Sequence, residues 1–367
     1  LLQRIASQQL RDDELAQQPS LVEPSQQQLE AMGALSEEGS RALGLLVVAG
    51  GSLGADALEH LRIEQPALEE LASSGLASQA GAAWSLLRTG EAAALRERLS
   101  PSSLAELHAS WASWLDEQLV GAVDEYLAPE SGIPSSAPRQ DPADQRRSEA
   151  RVANLRAAQV RHLALAGQLE QAASLLARHA DHHTSAPAAW ANAASVLAQR
   201  QRTPAVQLRA ARLTRRAGRP RQALALIEAL SRSQVTGSIT VELAIERGAC
   251  HLEQGNAAEA ARVLRSLAPE LVAPEQLGRS ADLLARALTR QGAYQAALAQ
   301  TERGLAVDTS PPQRIDLLVT AAVALSFAGQ LAPALQRLDQ AVAGLDAGTQ
   351  PRLAVRVFGS RALVAYN

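Results

Sequence analysis

A glycine is followed five residues later by an alanine at several places in the chain, and this spacing constrains the fold more than any other feature. The pairs are Gly167/Ala172, Gly218/Ala223, Gly255/Ala260, Gly292/Ala297 and Gly329/Ala334, and the last four glycines are each 37 residues apart. A constant period in this range is typical of a stacked array of repeats, in which each unit packs against its neighbours. The sequence therefore predicts an all-α solenoid, an architecture whose usual mode of action is binding.

The repeating unit is predicted to be a pair of helices joined by a tight turn. Apolar residues recur at helical spacing on both sides of Gly292, at Ala281, Leu284, Ala285 and Leu288 before it and at Tyr294, Ala297, Leu298 and Leu305 after it. Glycine reaches a positive φ at little cost, so the chain can reverse there.

Small residues mark the place where the two helices of a unit are expected to cross. One side of the crossing is the alanine that follows each glycine. The other side lies seven residues before each glycine, at Val160, Ala211, Gly248, Ala285 and Ala322. Larger side chains at both places would push the helices apart, so these positions are predicted to be buried.

These segments resemble the tetratricopeptide repeat (TPR) family. The residues that carry the resemblance are Gln254–Ala260, Gln291–Ala297 and Ala328–Ala334, which combine a glycine at the turn with an alanine in the second helix. The resemblance covers residues 150–367. Because the period is 37 rather than about 34 residues, we expect longer loops between units. The interval of 51 residues between Gly167 and Gly218 predicts an additional helix over Pro187–Gln201.

The TPR resemblance implies a concave groove lined by the first helix of each pair, where a protein or peptide partner would bind. By the register of the family, the residues facing this groove are Arg212, Arg215, Glu242, Arg279, Asp282, Arg286 and Asp316.

The chain before the repeats has a different pattern. Helices are predicted from Ser36 to Gly50, over Ala55–Leu61 and over Pro66–Ser73, followed by a small β-hairpin around Gly81. Three helices and a hairpin are typical of a winged-helix domain, a common reader of DNA. The third helix, however, carries Glu69 and Glu70 and would be repelled by phosphates, so DNA binding is the less favoured function.

Residues 36–115 resemble the winged-helix segment that follows the nucleotide-binding domain in STAND-type ATPases. This group includes the MalT-like regulators and large bacterial kinases with an origin-recognition-type ATPase module. The matching features are Ala42–Gly51, Leu68–Leu76 and Arg98–Pro101 running into Leu107–His108. The resemblance implies an upstream ATPase domain in the same polypeptide. Arg88 stands where such domains often carry a histidine, so it either contacts a nucleotide phosphate or is a solvated arginine at the end of the hairpin.

The sequence therefore divides into four predicted parts. Residues 1–35 are a helical segment that would end the upstream module, and residues 36–115 are the winged-helix-like domain. Residues 116–149 hold the end of a long helix and a linker rich in Pro and Ser, and residues 150–367 are the repeat array. Both ends of the chain fall inside apolar helical patterns, so we expect a fragment of a longer protein.

No known catalytic motif is recognisable, which predicts a protein that is not an enzyme and needs no cofactor. A phosphate-binding loop is missing, as are the His-Glu-x-x-His and Gly-x-Ser-x-Gly patterns. The net charge of −3 gives no general attraction to nucleic acid or membranes. The single cysteine, Cys250, excludes an intramolecular disulfide and is expected to be buried. No signal peptide or membrane span is recognised, so a cytoplasmic location is expected.

Two clusters of side chains are candidate binding sites. His179, His182 and His183 share a helical face and could hold a metal, or they could be histidines favoured at the end of a helix. The stretch from His182 to Ile227 holds eight arginines and no acidic residue. It could bind an acidic peptide, a phosphate-bearing partner or nucleic acid, or it could face acidic neighbours within the protein.

The preferred interpretation is a protein–protein interaction scaffold, the sensor or regulatory portion of a larger cytoplasmic signalling or transcription-regulating protein. The alternative is the lid and sensor of an ATP-driven STAND switch, and a DNA-binding regulator is the third candidate. Arg212 and Arg215, together with Arg279 and Arg286, are predicted to bracket an acidic peptide. Changing Arg212 and Arg215 to Glu should then weaken partner capture and leave the melting temperature nearly unchanged.

Overall fold

The protein is described here by a computed structural model. The residues described are 26–87, 96–127, 142–180, 185–233, 237–267, 272–307, 309–345 and 351–366. The chain divides into two compact units, which meet in sequence between Gln201 and Arg202. The fold is all-α, with helix pairs in a TPR-like layout, and the β-structure within the described ranges is one small sheet.

The first unit begins with short helices and three short strands. The helices are α1 (Gln26–Gly33), α2 (Glu37–Val48), α3 (Ala55–His60) and α4 (Gln65–Ser73). The strands are β1 (Ser52–Leu53), β2 (Ala77–Ala80) and β3 (Ala83–Leu86), in the antiparallel order β1-β3-β2. The predicted helices and hairpin are present. The sequence pattern missed β1, because two residues are too short to show the alternation that identifies a strand.

The core of this region forms around α2. Leu45, Leu46 and Leu71 are completely buried, and Trp84 of β3 packs into the same cluster. Helix α2 starts at a capping residue, since the Ser36 Oγ accepts a hydrogen bond of 3.0 Å from the Gly39 amide.

Four further helices follow in the first unit. They are α5 (Pro101–Leu127), α6 (Pro142–Leu165), α7 (Leu169–His179) and α8 (Pro187–Arg200). Helix α6 packs against α5, α7 and α8. It begins at Pro142, within the segment predicted to be a linker, and the rest of that linker lies outside the described residues. The predicted additional helix is α8. The boundary between the two compact units falls after α8.

The second unit consists of antiparallel helix pairs followed by one more helix. The first helices of the pairs are α9 (Pro204–Arg216), α11 (Ser238–Glu253), α13 (Pro274–Arg290) and α15 (Pro311–Phe327). The second helices are α10 (Pro220–Ser231), α12 (Ala257–Arg265), α14 (Tyr294–Leu305) and α16 (Leu331–Ala343), and the last helix is α17 (Pro351–Tyr366). Successive first helices contact each other, and α17 extends that row against α15. We call the row α9, α11, α13, α15 and α17 the inner face.

The predicted turns and crossings are confirmed. At Gly292 φ is +77°, and the Ala293 amide donates to the Leu288 carbonyl over 2.9 Å, closing the helix end. The other four predicted turn glycines have the same conformation and the same hydrogen bond. The alanine five residues after each glycine is 0% exposed in all five helix pairs. The described part of residues 150–366 contains no strand.

Candidate functional site

The charged residues predicted to face the groove all lie on helices of the inner face. Arg212 and Arg215 lie on α9, and Glu242 lies on α11. Arg279, Asp282 and Arg286 lie on α13, and Asp316 lies on α15. These positions recur at the period of the repeat, since Glu242, Arg279 and Asp316 are each 37 residues apart. Stacking of the repeats therefore places alternating charges side by side.

Glu246 on α11 is the centre of this network, although its side chain is only 1% exposed. Its Oε1 accepts hydrogen bonds of 2.7 Å from Arg212 Nε and 2.5 Å from Arg279 Nη2. Its Oε2 accepts a bond of 2.9 Å from Arg215 Nε. Three arginines from the two adjacent helices therefore neutralise one buried carboxylate.

The arginines of α9 hold further carboxylates of the next repeat. Arg212 Nη2 donates to Glu242 Oε2 over 2.8 Å, and Arg215 Nη1 donates to Glu253. Burial alone would raise the pKa of Glu246, but the charges of Arg279, Arg215 and Arg212 outweigh it and hold that pKa well below its usual range. Glu246 is therefore ionised throughout the neutral range.

A second group of charges lies further along the inner face. Arg356 of α17 pairs with Asp316 and donates to Thr320 Oγ1 over 2.9 Å, and Thr320 in turn donates to Asp282 Oδ1 over 2.5 Å. Burial raises the pKa of Asp316, partly opposed by Arg356. Arg286 is held more loosely, because its Nη1 lies 3.7 Å from Asp282 Oδ2.

Two neighbouring cavities open on this face. The first, here called cavity 1, has a volume of about 410 Å³. The charged groups of its lining are of both signs: Arg215, Arg279, Arg286 and Arg356 with Glu253, Asp282 and Asp316. Most of these groups already pair with one another, so cavity 1 has little net charge to offer a ligand.

The second, here called cavity 2, has a volume of about 490 Å³ and a different lining. Among the residues that the structure describes, its charged groups are Arg286, Arg290 and Arg356, and no described carboxylate belongs to this lining. Its remaining walls are apolar, aromatic or hydroxylic and comprise Thr289, Gly292, Tyr294, Val319, Thr320, Val323, Phe327 and Ser360. Arg286 and Arg356 line both cavities, so the two cavities adjoin each other along the inner face.

The structure corrects the prediction for Arg212 and Arg215. Their side chains are only 19% and 14% exposed, and their guanidinium groups already hold Glu246, Glu242 and Glu253. The acid-free stretch thus faces acidic neighbours here, because the carboxylates come from the next helix pair. Changing both arginines to Glu would place like charges against a buried carboxylate, so with these contacts we expect the double variant to melt at a lower temperature than the parent chain.

The other predicted sites are only partly visible. His179 Nε2 lies 3.0 Å from Arg156 Nη1, whereas His182 and His183 lie outside the described residues. Among the residues that are described, no three His, Cys, Asp or Glu side chains are grouped so as to hold a metal ion. Arg88 also lies outside the described ranges. Cys250 is completely buried, and burial raises the pKa of its thiol to about 12.

The acidic residue Glu70 on α4 has a structural partner. Its Oε1 accepts a hydrogen bond of 2.7 Å from the Ser36 amide, and its Oε2 accepts one of 2.5 Å from the Ser36 hydroxyl. These bonds lower the pKa of Glu70 and tie α4 to the start of α2.

A buried histidine pair in the first unit has no signal in the sequence. His108 on α5 and His162 on α6 are 54 residues apart, yet their Nδ1 atoms lie 2.9 Å from each other. Both side chains are at least 95% buried, and Trp111 packs near His162. Burial and nearby arginines lower the pKa of both histidines. A neutral pair in which one ring donates and the other accepts fits this contact.

No protein-family profile matches the chain, and no curated protein sequence matches it. Among solved structures, it is similar to the STAND protein with a tetratricopeptide repeat sensor from Pyrococcus horikoshii. The identity is 13% and the TM-score 0.46, over 95% of this chain and 50% of that one. It is also similar to the APC/C hetero-tetramer Cut9–Hcn1, with 13% identity and a TM-score of 0.41 over 74% of this chain and 59% of that one.

A third similar structure is the TPR domain of P58(IPK), with 11% identity and a TM-score of 0.27 over 90% of this chain and 80% of that one. The chain spans about half the length of the first of these proteins. Likeness at these identities concerns the fold alone. Within the described residues, no helix is both long enough and apolar enough to cross a bilayer.

Proposed function

We propose that this chain is a protein–protein interaction scaffold that binds a peptide segment of its partner along the inner face of the second unit. The observation that carries the proposal is the pair of adjoining cavities 1 and 2, which are lined by residues of α9, α11, α13, α15 and α17. Pockets of this size accommodate side chains of a ligand, and repeat arrays commonly use the row of first helices for this purpose.

Hydrogen exchange of the full chain tests the proposal. Peptides would first be selected from a random library on the immobilised chain, and amide exchange would then be measured with and without the selected peptide. We expect protection concentrated in α13, α15 and α17. Protection confined to the second helices of the pairs or to the first unit would contradict the proposal, as would the failure of selection to yield any binder.

We also propose that residues 36–115 are a winged-helix domain and act as the lid of a nucleotide-controlled switch, in a larger cytoplasmic regulator of the STAND type. The support is the order of elements, helix–strand–helix–helix–strand–strand, followed by helix pairs. On this proposal the chain itself is not an enzyme, and the nucleotide site belongs to an ATPase domain of the same polypeptide. The purified chain should then neither bind nor hydrolyse ATP, and turnover that survives further purification would refute this assignment.

A further inference from the structure

We propose that cavity 2 is the specificity pocket of the groove, and that it takes a peptide in which an aromatic residue stands next to a carboxylate. This inference rests on the proposed peptide-binding function and names the chemistry of the segment that is bound. The two properties of the segment follow from two separate features of the cavity, its charge and its aromatic wall.

The charge of cavity 2 selects an anion. Arg286, Arg290 and Arg356 line it and no carboxylate of the described part of the chain does, whereas the lining of cavity 1, which shares Arg286 and Arg356, includes three carboxylates. Arg356 and Arg286 also face Asp316 and Asp282 on the side of cavity 1, so the positive charge left for a ligand of cavity 2 comes from Arg290 and from the loosely held Arg286. Burial of a carboxylate among them is correspondingly favourable.

Arg286 is the arginine best placed to bind the ligand. Arg356 is engaged with Asp316 and Thr320, and Arg290 Nη1 donates to the Leu252 carbonyl over 2.5 Å. Arg286 has a carboxylate only at 3.7 Å, beyond hydrogen-bond distance, and its side chain is 39% exposed. Its guanidinium can therefore turn towards a ligand carboxylate and form a bidentate pair, giving up only the long contact with Asp282, whose Oδ1 keeps its hydrogen bond from Thr320.

The other wall of cavity 2 selects an aromatic side chain. Phe327 stacks on Tyr294 with ring centroids 6.2 Å apart and an interplanar angle of 12°, yet Phe327 is 58% exposed. Val319 and Val323 of the same helix line the cavity beside it. An additional ring from the partner would cover the exposed face of Phe327 and bury apolar surface on both sides. The volume of about 490 Å³ has room for such a side chain.

Four labelled peptides on one flexible Gly-Ser background test the inference with the full chain. They carry at their centre Phe-Glu, Phe-Gln, Ala-Glu or Phe-Lys, and binding is measured by fluorescence anisotropy up to about 1 mM peptide, where weak motifs are still detected. We expect Phe-Glu to bind about tenfold more tightly than each of the others, and the difference from Phe-Gln to shrink at high salt.

Variants locate the binding in cavity 2. Arg286→Ala and Phe327→Ala should each weaken Phe-Glu binding about tenfold, and Arg286→Gln, which keeps the length of the side chain, should also weaken it. Arg221→Ala, an exposed arginine of α10 outside both cavities, is the matched control and should bind as the parent does. Circular dichroism melting of each variant checks that the fold is retained.

Two results would overturn the inference: equal binding of the four peptides, including no binding of any of them, or unchanged Phe-Glu binding in a folded Arg286 variant. The failure of the proposed function is distinguishable from this. Peptides selected from the library could protect the amides of the inner face from exchange and yet lack the aromatic–acidic pair. That result would support the peptide-binding function and contradict only the chemistry assigned to cavity 2.

Discussion

Arg215 and Glu246 are 31 residues apart in the sequence, and in the folded chain Arg215 Nε lies 2.9 Å from Glu246 Oε2. One residue belongs to a helix without any acidic side chain, and the other is buried on the first helix of the next pair. The contact joins two repeats through charge. A buried carboxylate is tolerable only because its partners are present, so removing either member of the pair should destabilise the packing of α9 against α11.

Replacing Glu246 should be strongly destabilising. Glu246→Ala leaves Arg212, Arg215 and Arg279 close together without their shared anion, and we expect a loss of about 3–5 kcal/mol in the free energy of unfolding. Glu228→Ala, at an exposed position on α10, is the control and should change that energy by less than about 0.5 kcal/mol. Urea unfolding followed by circular dichroism gives both values, and similar midpoints for the two variants would contradict the buried network.

Overpacking the helix crossing should also destabilise the second unit. Ala297 on α14 is 0% exposed, so Ala297→Leu must displace the neighbouring helix, at a cost of about 1–3 kcal/mol. Ala299→Leu introduces the same side chain at an exposed position of the same helix and should be nearly neutral. Comparing the thermal midpoints of the two variants isolates the effect of overpacking, because helix propensity changes equally in both. An unchanged midpoint for Ala297→Leu would show that Ala297 does not lie at the helix crossing.

Two glycine-to-alanine substitutions should have opposite effects. Gly292 has a φ of +77°, which an L-residue adopts only with strain, so Gly292→Ala should destabilise by about 1–2 kcal/mol. Gly121 lies inside α5 with open space around it, so Gly121→Ala should stabilise by about 0.5–1 kcal/mol. Chemical denaturation of both variants measures the signs. Two changes of the same sign would be incompatible with the backbone described here.

The buried pair His108–His162 should make stability depend on pH. Because burial lowers the pKa of both histidines in the folded chain, the unfolded chain binds more protons below its histidine pKa of about 6.5. Their contribution is complete above that pH and decreases as the pH falls, by up to about 1.4 kcal/mol per pH unit for each histidine. The unfolding free energy measured from pH 7.5 to about pH 5 should therefore fall more steeply for the parent than for the double variant His108→Gln, His162→Gln. Equal slopes for the parent and the double variant would contradict the assignment of this pH dependence to the buried histidine pair.

Much of the fold follows from the sequence alone. The sequence predicts the turn glycines, their partner alanines and the additional helix α8 correctly. Turns and helix crossings require particular residue types at short, fixed spacings along the chain, so they can be recognised locally. The positions of the charged groove residues on the inner face follow in the same way. Gly292 and Ala297, for example, identify a turn and a crossing without reference to any distant residue.

The candidate site itself depends on tertiary structure. That Arg212 and Arg215 face carboxylates, that Glu246 is buried among three arginines, and that His108 meets His162 all depend on which helices stack together. The difference between the mixed charge of cavity 1 and the purely basic lining of cavity 2 arises in the same way. Helical periodicity determines the face on which a side chain lies, but its partner comes from another helix. Ion pairing and cavity shape are therefore decided only when the repeats pack.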